Sequence, residues 1–233
     1  MTPDQQTLHC LEVYGVPDLD FCLPNTGREL VLSSPARRAV ATGMFLLYSW
    51  YFPLKRLVPL TPEAIAKLRR SMEEGWDLTS PQEALERMDD LYEVGHRATL
   101  QPRLAQNEAY WRTEFDKYPL LRDHPVTSVA AWDYGRIAAL AYWSLMAGYL
   151  DSTTAFQYMD LATQASLERF TSWEEFAVSY LAGRLMWNPD DPEGLRSFIG
   201  MAERHLSSEL RCWGSSPWAA YTPWPWPSVG HLA

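Results

Sequence analysis

The feature that most constrains the fold is a stretch of chain, residues 129–150, that would be apolar on nearly all sides of a helix. Within it only Asp133, Arg136 and Ser144 are clearly polar. A helix that is apolar all round must be enclosed, either by the rest of a domain or by a membrane. The sequence therefore predicts a central helix with two buried charges.

Two apolar stretches raise the question of a membrane, and both are too short to cross one. Residues 39–52 follow Arg37 and Arg38, and residues 137–150 contain one plainly polar side chain. Each stretch has about 14 residues, whereas a transmembrane helix needs roughly 20. The N-terminal residues 1–4 carry no positive charge of the kind that begins a secretory signal. We therefore expect no export and no membrane partner.

The composition is typical of a globular domain that folds around a hydrophobic core. The chain has 233 residues, of which 47% are hydrophobic, and a length of this order suffices for a core without disulfides or metal. Cys10, Cys22 and Cys212 are odd in number and far apart, which favours a reducing compartment, hence the cytoplasm. A net charge of -9 disfavours nucleic acid as a partner.

Helix start signals recur along the chain and predict an all-α fold. A capping side chain precedes a proline, which suits the first helical position, at Ser34, Thr61, Ser80 and Asp191. Ser172, followed three residues later by Glu175, has the spacing of a capping box. Apolar residues follow these starts at helical spacing.

Further helices are predicted over residues 103–117, 127–147 and 152–170, with Gly148 ending the second of these. Strands are expected only as short pieces, such as residues 29–32. The fold class is thus a single compact domain of about eight helices around a central apolar helix. We divide the chain into an irregular N-terminal segment (1–33), a helical domain (34–213) and a tail (214–233).

The tail is rich in proline and tryptophan, with prolines at alternate positions from Pro223 to Pro227. This spacing prevents a helix and favours an extended chain, and the tryptophans need apolar surface to cover them. We expect the tail to fold back onto its own domain. The alternative is that it binds an aromatic groove of a partner protein.

Acidic residues are concentrated in two blocks, 73–93 and 151–193, whereas residues 31–72 are predominantly basic. The first block contains eight acidic residues and one basic residue, Arg87. Such a block is either a solvated face or a surface that attracts basic protein partners. The candidate acidic face consists of Glu86, Asp89, Asp90 and Glu93.

A polar cluster is the other candidate site. Asp133 and Arg136 are three residues apart on the central helix, so they can pair along it. Arg184 falls on an otherwise aromatic helix face and needs either a carboxylate partner, for which Asp133 is the expected choice, or aromatic stacking. The predicted cluster consists of His96, Trp132, Asp133, Arg136, Trp173, Arg184 and Trp187. It is either a buried ion-pair network that fixes helix register or a binding site for a phosphate or carboxylate.

Common catalytic motifs for zinc, phosphate and nucleophilic-serine chemistry do not occur in the sequence. Glu93 and His96 have the Glu-x-x-His spacing of di-iron bundles, but the chain has no second copy, and Gly95 indicates a helix end there. We therefore predict no catalytic residue, no metal and no cofactor.

Several short motifs in a fixed order resemble a bacterial family known as domain of unknown function 1266. They are Gly75–Ser80, Gly95–Arg97, Trp132–Arg136, Gly148–Leu150, Ser172–Glu175 and Gly183–Trp187. The similarity spans roughly residues 37–190 and leaves the tail outside. The resemblance implies a mostly helical cytoplasmic protein of bacteria and supplies no activity.

Two functions remain open from the sequence. The first is a cytoplasmic protein-binding module, most concretely an immunity or antitoxin-like protein that neutralises a basic bacterial toxin domain through its acidic surface. The second is an enzyme or small-anion-binding domain that uses the Asp/Arg/His cluster.

Overall fold

A computed structural model describes residues 30–52, 54 and 56–206, and it is helical almost throughout. The helices are α1 (Ser34–Thr42), α2 (Met44–Ser49), α3 (Pro62–Trp76), α4 (Pro81–Glu93), α5 (Arg97–Gln106), α6 (Glu108–Phe115), α7 (Pro119–Asp123), α8 (Ala131–Met146), α9 (Ser152–Arg169), α10 (Trp173–Trp187) and α11 (Pro192–Leu206). Strands β1 (Leu30–Val31) and β2 (Arg56–Leu57) form one short antiparallel pair. The all-α prediction is confirmed.

Helix α8 is the central helix that the sequence predicts, and every one of its residues is buried. Helices α1, α2, α4, α9 and α10 all pack against it. The predicted C-terminal cap is also present, since Gly148 follows α8 with a positive φ of 73°. In the described part of the chain, we find no helix with both the length and the hydropathy that a membrane span requires.

Helices α8 and α10 pack closely because each places a glycine where the other has an aromatic side chain. A Cβ atom at Gly183 of α10 would lie 2.5 Å from Cβ of Trp132, and one at Gly135 of α8 would lie 2.7 Å from Cε2 of Tyr180. Contacts this short leave no room for a methyl group. The two glycines therefore set the distance between the helices that carry the predicted cluster.

The predicted caps form at most helix starts. Thr61, Ser80 and Ser172 each accept a hydrogen bond from the first turn of the helix that follows. At Ser172 the box is shifted, because Glu175 accepts from the N–H of Thr171 rather than from that of Ser172 itself. The cap of α1 is Ser33, one residue before the predicted Ser34.

The helix predicted over residues 103–117 is wrong. The chain there forms the end of α5 and then α6, with Asn107 between them, and α5 begins earlier, at Arg97, with Pro102 inside it. Each of these short helices buries one or two large side chains, so apolar residues continue across the break. The cysteines, the segment 1–29 and the Pro/Trp-rich tail lie outside the described residues.

Candidate functional site

The fully buried carboxylate of Asp133 caps helix α5. Its Oδ1 accepts the backbone N–H of His96 at 2.9 Å, and its Oδ2 accepts that of Arg97 at 2.9 Å. The N–H groups of a first helical turn have no partners within the helix, and their partial positive charge favours an anion. Asp133 thus stabilises the start of a helix that belongs to another part of the sequence.

Arg97 completes this junction between α4, α5 and α8. Its guanidinium lies 3.3 Å from Oδ2 of Asp133 and also donates to the carbonyls of Leu91 and Tyr92 at the end of α4. The carbonyls of a last helical turn likewise lack partners within the helix. A single side chain therefore connects the end of one helix to the cap of the next.

The predicted pairing of Asp133 with Arg136 is wrong. Nη1 of Arg136 instead lies 2.8 Å from Nδ1 of His96, and its guanidinium lies over the rings of Trp76, Trp132 and Trp187 at 4.5, 5.0 and 5.9 Å. Aromatic faces attract a cation when water is excluded. Indole rings, rather than the predicted carboxylate, therefore surround the Arg136 guanidinium.

Arg136 is only 7% exposed, and its positive charge has no carboxylate within ion-pair distance among the described residues. Burial lowers the pKa of Arg136 to about 10, while the charge of Asp133 acts in the opposite direction. The side chain consequently remains a cation at neutral pH. The centre of the cluster carries a positive charge that is held by rings and an imidazole.

Arg184 does not pair with Asp133 either. It pairs with Asp191, which also accepts the N–H of Gly194 at 3.0 Å and so caps α11. These contacts lower the pKa of the Asp191 carboxyl, the backbone bond from Gly194 being the largest cause. The guanidinium of Arg184 lies 5.3 Å from the ring centre of Trp187. The arginine thus joins the ends of two consecutive helices.

Trp187 is the exposed member of the cluster, with 46% of its surface accessible, whereas the preceding residues of α10 back to Phe176 are buried. Its ring packs against Trp132 at 5.5 Å and against His96 at 6.3 Å between ring centres. Trp187 is therefore held in place by contacts with Trp132, His96, Arg136 and Arg184.

Trp173 does not belong to the cluster, in contrast to the prediction. It is buried at the first residue of α10, where its ring packs on Phe176. Trp187 lies fourteen positions further along the helix, which corresponds to about 21 Å along the axis. The helical spacing places both tryptophans on one face without bringing them together.

The four residues of the predicted acidic face, Glu86, Asp89, Asp90 and Glu93, are all exposed on α4. Asp89 also accepts a hydrogen bond from the hydroxyl of Tyr158 at 2.6 Å. Burial, together with this bond, raises the pKa of Tyr158 to about 12. Tyr92 and Val94, large exposed apolar residues, lie at the same end of α4.

Sequence reasoning did not assign Trp76, Arg97 or Asp191 to the cluster, although it correctly predicted Asp191 as the cap of a helix. Trp76 is the last residue of α3 and Asp191 lies in a loop, so helical spacing on α8 and α10 could not reveal them. Arg97 adjoins His96 and Gly95, whose positive φ marks the tight turn between α4 and α5.

The cluster holds a mixture of aromatic and charged side chains, one of them exposed. Among the described residues no group of three His, Cys, Asp or Glu side chains is placed to hold a metal ion. Glu93 and His96, the pair with di-iron spacing, are separated by the end of α4. The groups present are an exposed indole, an imidazole and an arginine cation, each of which can contact another molecule.

Comparison with known proteins gives one result. No curated protein and no solved structure matches the chain. A family model described as a protein of unknown function (DUF1266) matches residues 71–224, which is more than half of the sequence. The match extends into the Pro/Trp-rich tail, which we expected to lie outside the family pattern. The chain therefore belongs to the DUF1266 family.

Proposed function

We propose that this protein is a protein-binding module whose contact surface is centred on Trp187. The observation that carries the proposal is a large indole ring that is half exposed yet fixed by Trp132, His96 and Arg184. Tryptophans of this kind supply a large part of the binding energy at protein interfaces, because little conformational entropy is lost when they bind.

The charge around this surface favours a basic partner. Exposed carboxylates lie along α4 as far as its last residue, Glu93. Glu93 is three residues before His96, and the ring of His96 contacts Trp187. Carboxylates at the rim of an interface increase the association rate with a positively charged protein. We infer a cytoplasmic partner with clustered lysine and arginine residues, and most concretely a toxin domain that this protein neutralises as an immunity or antitoxin-like protein.

The test separates the aromatic centre from the acidic rim. Partners are captured from a lysate of the source organism with three tagged proteins: wild type, Trp187→Ala and the triple variant E86K/D90K/E93K. The captured proteins are quantified by mass spectrometry. Asp89 stays unchanged because Tyr158 donates to it. We expect a basic protein that wild type retains and that both variants lose.

A matched control makes the same change in charge elsewhere. Glu108, Glu168 and Glu203 are exposed on α6, α9 and α11, and their replacement by lysine should leave the capture unchanged. The proposal is contradicted if Trp187→Ala and E86K/D90K/E93K capture the same proteins as wild type. The immunity role makes a further requirement. The captured protein must stop cell growth when it is expressed alone, and growth must be restored when this protein is co-expressed with it.

A second candidate function, anion binding, rests on the unmatched charge of Arg136. The Nε1–H of Trp132 and the hydroxyl of Tyr180 are also buried, and neither has a hydrogen-bond partner among the described residues. Unsatisfied buried groups next to an unmatched cation are typical of a site that receives a polar ligand. A phosphate or carboxylate would reach Arg136 past the half-buried His96.

The test of anion binding is an NMR titration with inorganic phosphate and with acetate, observed at the His96 imidazole. We expect saturable shifts in wild type that Arg136→Met abolishes while the protein stays folded. Arg169→Met is a suitable control, since Arg169 donates to Ser128 and lies outside the cluster. Shifts that persist in Arg136→Met, or no shift in wild type, would argue against this function.

A further inference from the structure

An apolar groove of about 450 Å³ lies between the turn that follows α2 and the first half of α3. Its apolar lining comes from Trp50, Tyr51, Phe52, Leu60, Ala64 and Leu68. Trp50 packs against Trp143 of the central helix at 4.6 Å between ring centres, and Phe52 packs against Tyr142 at 5.4 Å. The floor of the groove is therefore anchored to the core.

Aromatic surface is unusually exposed at this groove. Of the lining residues, Trp50 is 36% exposed and Tyr51 94%, and Tyr48, which precedes them in the sequence, is 40% exposed. Tyr51 also has a positive φ of 61°, a conformation that costs a bulky residue about 1 kcal/mol or more. The N–H of Tyr51 donates to the carbonyl of Tyr48, and the N–H of Phe52 donates to the carbonyl of Leu47. Tyr51 thus occupies the left-handed position that glycine usually takes at the end of a helix. The turn holds Tyr51 at the rim of the groove.

The described chain ends beside this aromatic surface. Helix α11 ends at Leu206 and packs against α2, where the ring of His205 lies 5.0 Å from that of Tyr48 in a perpendicular arrangement. The 27 residues of segment 207–233 follow, and four of them are tryptophan and four are proline. A segment of this length can span up to about 90 Å, so the groove is within its reach.

We propose that segment 207–233 binds the groove of its own chain. Proline-rich segments bind aromatic-lined grooves because little conformational entropy is lost, and tryptophan supplies the apolar area that such a groove can cover. Attachment next to the groove gives the segment a high effective concentration, so modest contacts suffice. The family match extends to residue 224, so it includes most of this segment.

This proposal is independent of the surface around Trp187, and cross-linking within the full chain tests it. The photoreactive residue benzoylphenylalanine replaces Tyr51, whose exposed side chain tolerates the change, and irradiated protein is digested and mapped by mass spectrometry. We expect cross-links from position 51 to peptides of segment 207–233 in protein of monomer mass. The same residue at Tyr110, which is exposed on α6, serves as the control and should give none.

A second pair of variants tests whether the groove itself is responsible. Ala64 lines the groove and is the third residue of α3, where glutamate is favourable for the helix, so Ala64→Glu should fold. A carboxylate in an apolar groove should lower the cross-link yield about tenfold, which corresponds to about 1.4 kcal/mol. Ala66→Glu, on the same helix but outside the groove, should leave the yield unchanged.

Three results would overturn the proposal. The first is the absence of cross-links between position 51 and segment 207–233. The second is cross-linked protein of dimer mass, which would make a second copy of the chain the occupant. The third is equal cross-link yield in Ala64→Glu and Ala66→Glu, which would place the segment elsewhere on the surface.

Discussion

Oδ1 of Asp133 accepts the backbone N–H of His96 at 2.9 Å, although 37 residues separate them in the sequence. This bond gives the buried carboxylate a definite structural role, because it supplies the cap that α5 lacks among its own side chains. Asp133, the negative member of the cluster, thus has a structural role in the fold. The positive member, Arg136, has no carboxylate partner among the described residues.

Replacing Asp133 by asparagine should destabilise the protein by about 2–4 kcal/mol, because Arg97 loses its buried counter-charge and the new amide turns a donor towards N–H groups. The free energy of unfolding in urea measures the effect. Asp151→Asn is the matched control, since Asp151 is an exposed N-cap of α9 and asparagine caps equally well. The proposed capping role fails if the two variants lose the same stability.

Gly95→Ala should cost about 2–3 kcal/mol, because Gly95 has a positive φ of 60° and a Cβ atom there would lie 2.6 Å from Cγ of Asp133. Gly75→Ala is the control within α3, where an added Cβ meets no atom within 4 Å and alanine favours the helix by up to about 1 kcal/mol. Thermal unfolding of both variants would show opposite shifts. A similar shift in both would mean that the turn tolerates a side chain.

The sequence predicts the elements of this fold better than the contacts between them. Helix α8 and the caps at Thr61, Ser80 and Ser172 follow from local rules of spacing and hydrogen bonding, and they are present. The helix predicted over 103–117 is instead divided at Asn107, and α5 begins five residues before Pro102, although proline favours the first turn of a helix. The apolar spacing alone did not reveal either difference.

The candidate site shows the same limit more clearly. The burial of Asp133 and Arg136 follows from the apolar surroundings of α8, yet their partners come from other elements. Charge alone suggests that they pair with each other. In the structure, Asp133 instead accepts the backbone N–H groups at the start of α5, and Arg136 lies over the ring of Trp76. These contacts become visible only in the three-dimensional arrangement.

Gly183→Ala should destabilise the protein by about 1–3 kcal/mol, since the added methyl group overlaps Trp132 and the two helices must separate. Because Trp132 supports Trp187, the same variant should weaken partner binding. Gly200→Ala in α11 has open space around it and should change neither property. Unfolding and partner capture, measured on the same preparations, distinguish this coupled effect from a loss of stability alone.

Acid should destabilise the protein through His205. Burial, and secondarily the charge of Arg204, lowers the pKa of His205 from 6.5 to about 4. Between these values the unfolded chain binds a proton that the folded chain does not, so the free energy of unfolding decreases as the pH falls from 6.5 to 4. The loss from this group approaches about 3 kcal/mol at pH 4 and is absent above pH 7.

His205→Gln should remove this part of the pH dependence, so that the stability of the variant declines less than that of wild type over the same interval. An NMR titration of the His205 imidazole measures its pKa directly. A midpoint near 6.5 in the folded protein would contradict the prediction, because a histidine with its ordinary pKa contributes no acid sensitivity to folding.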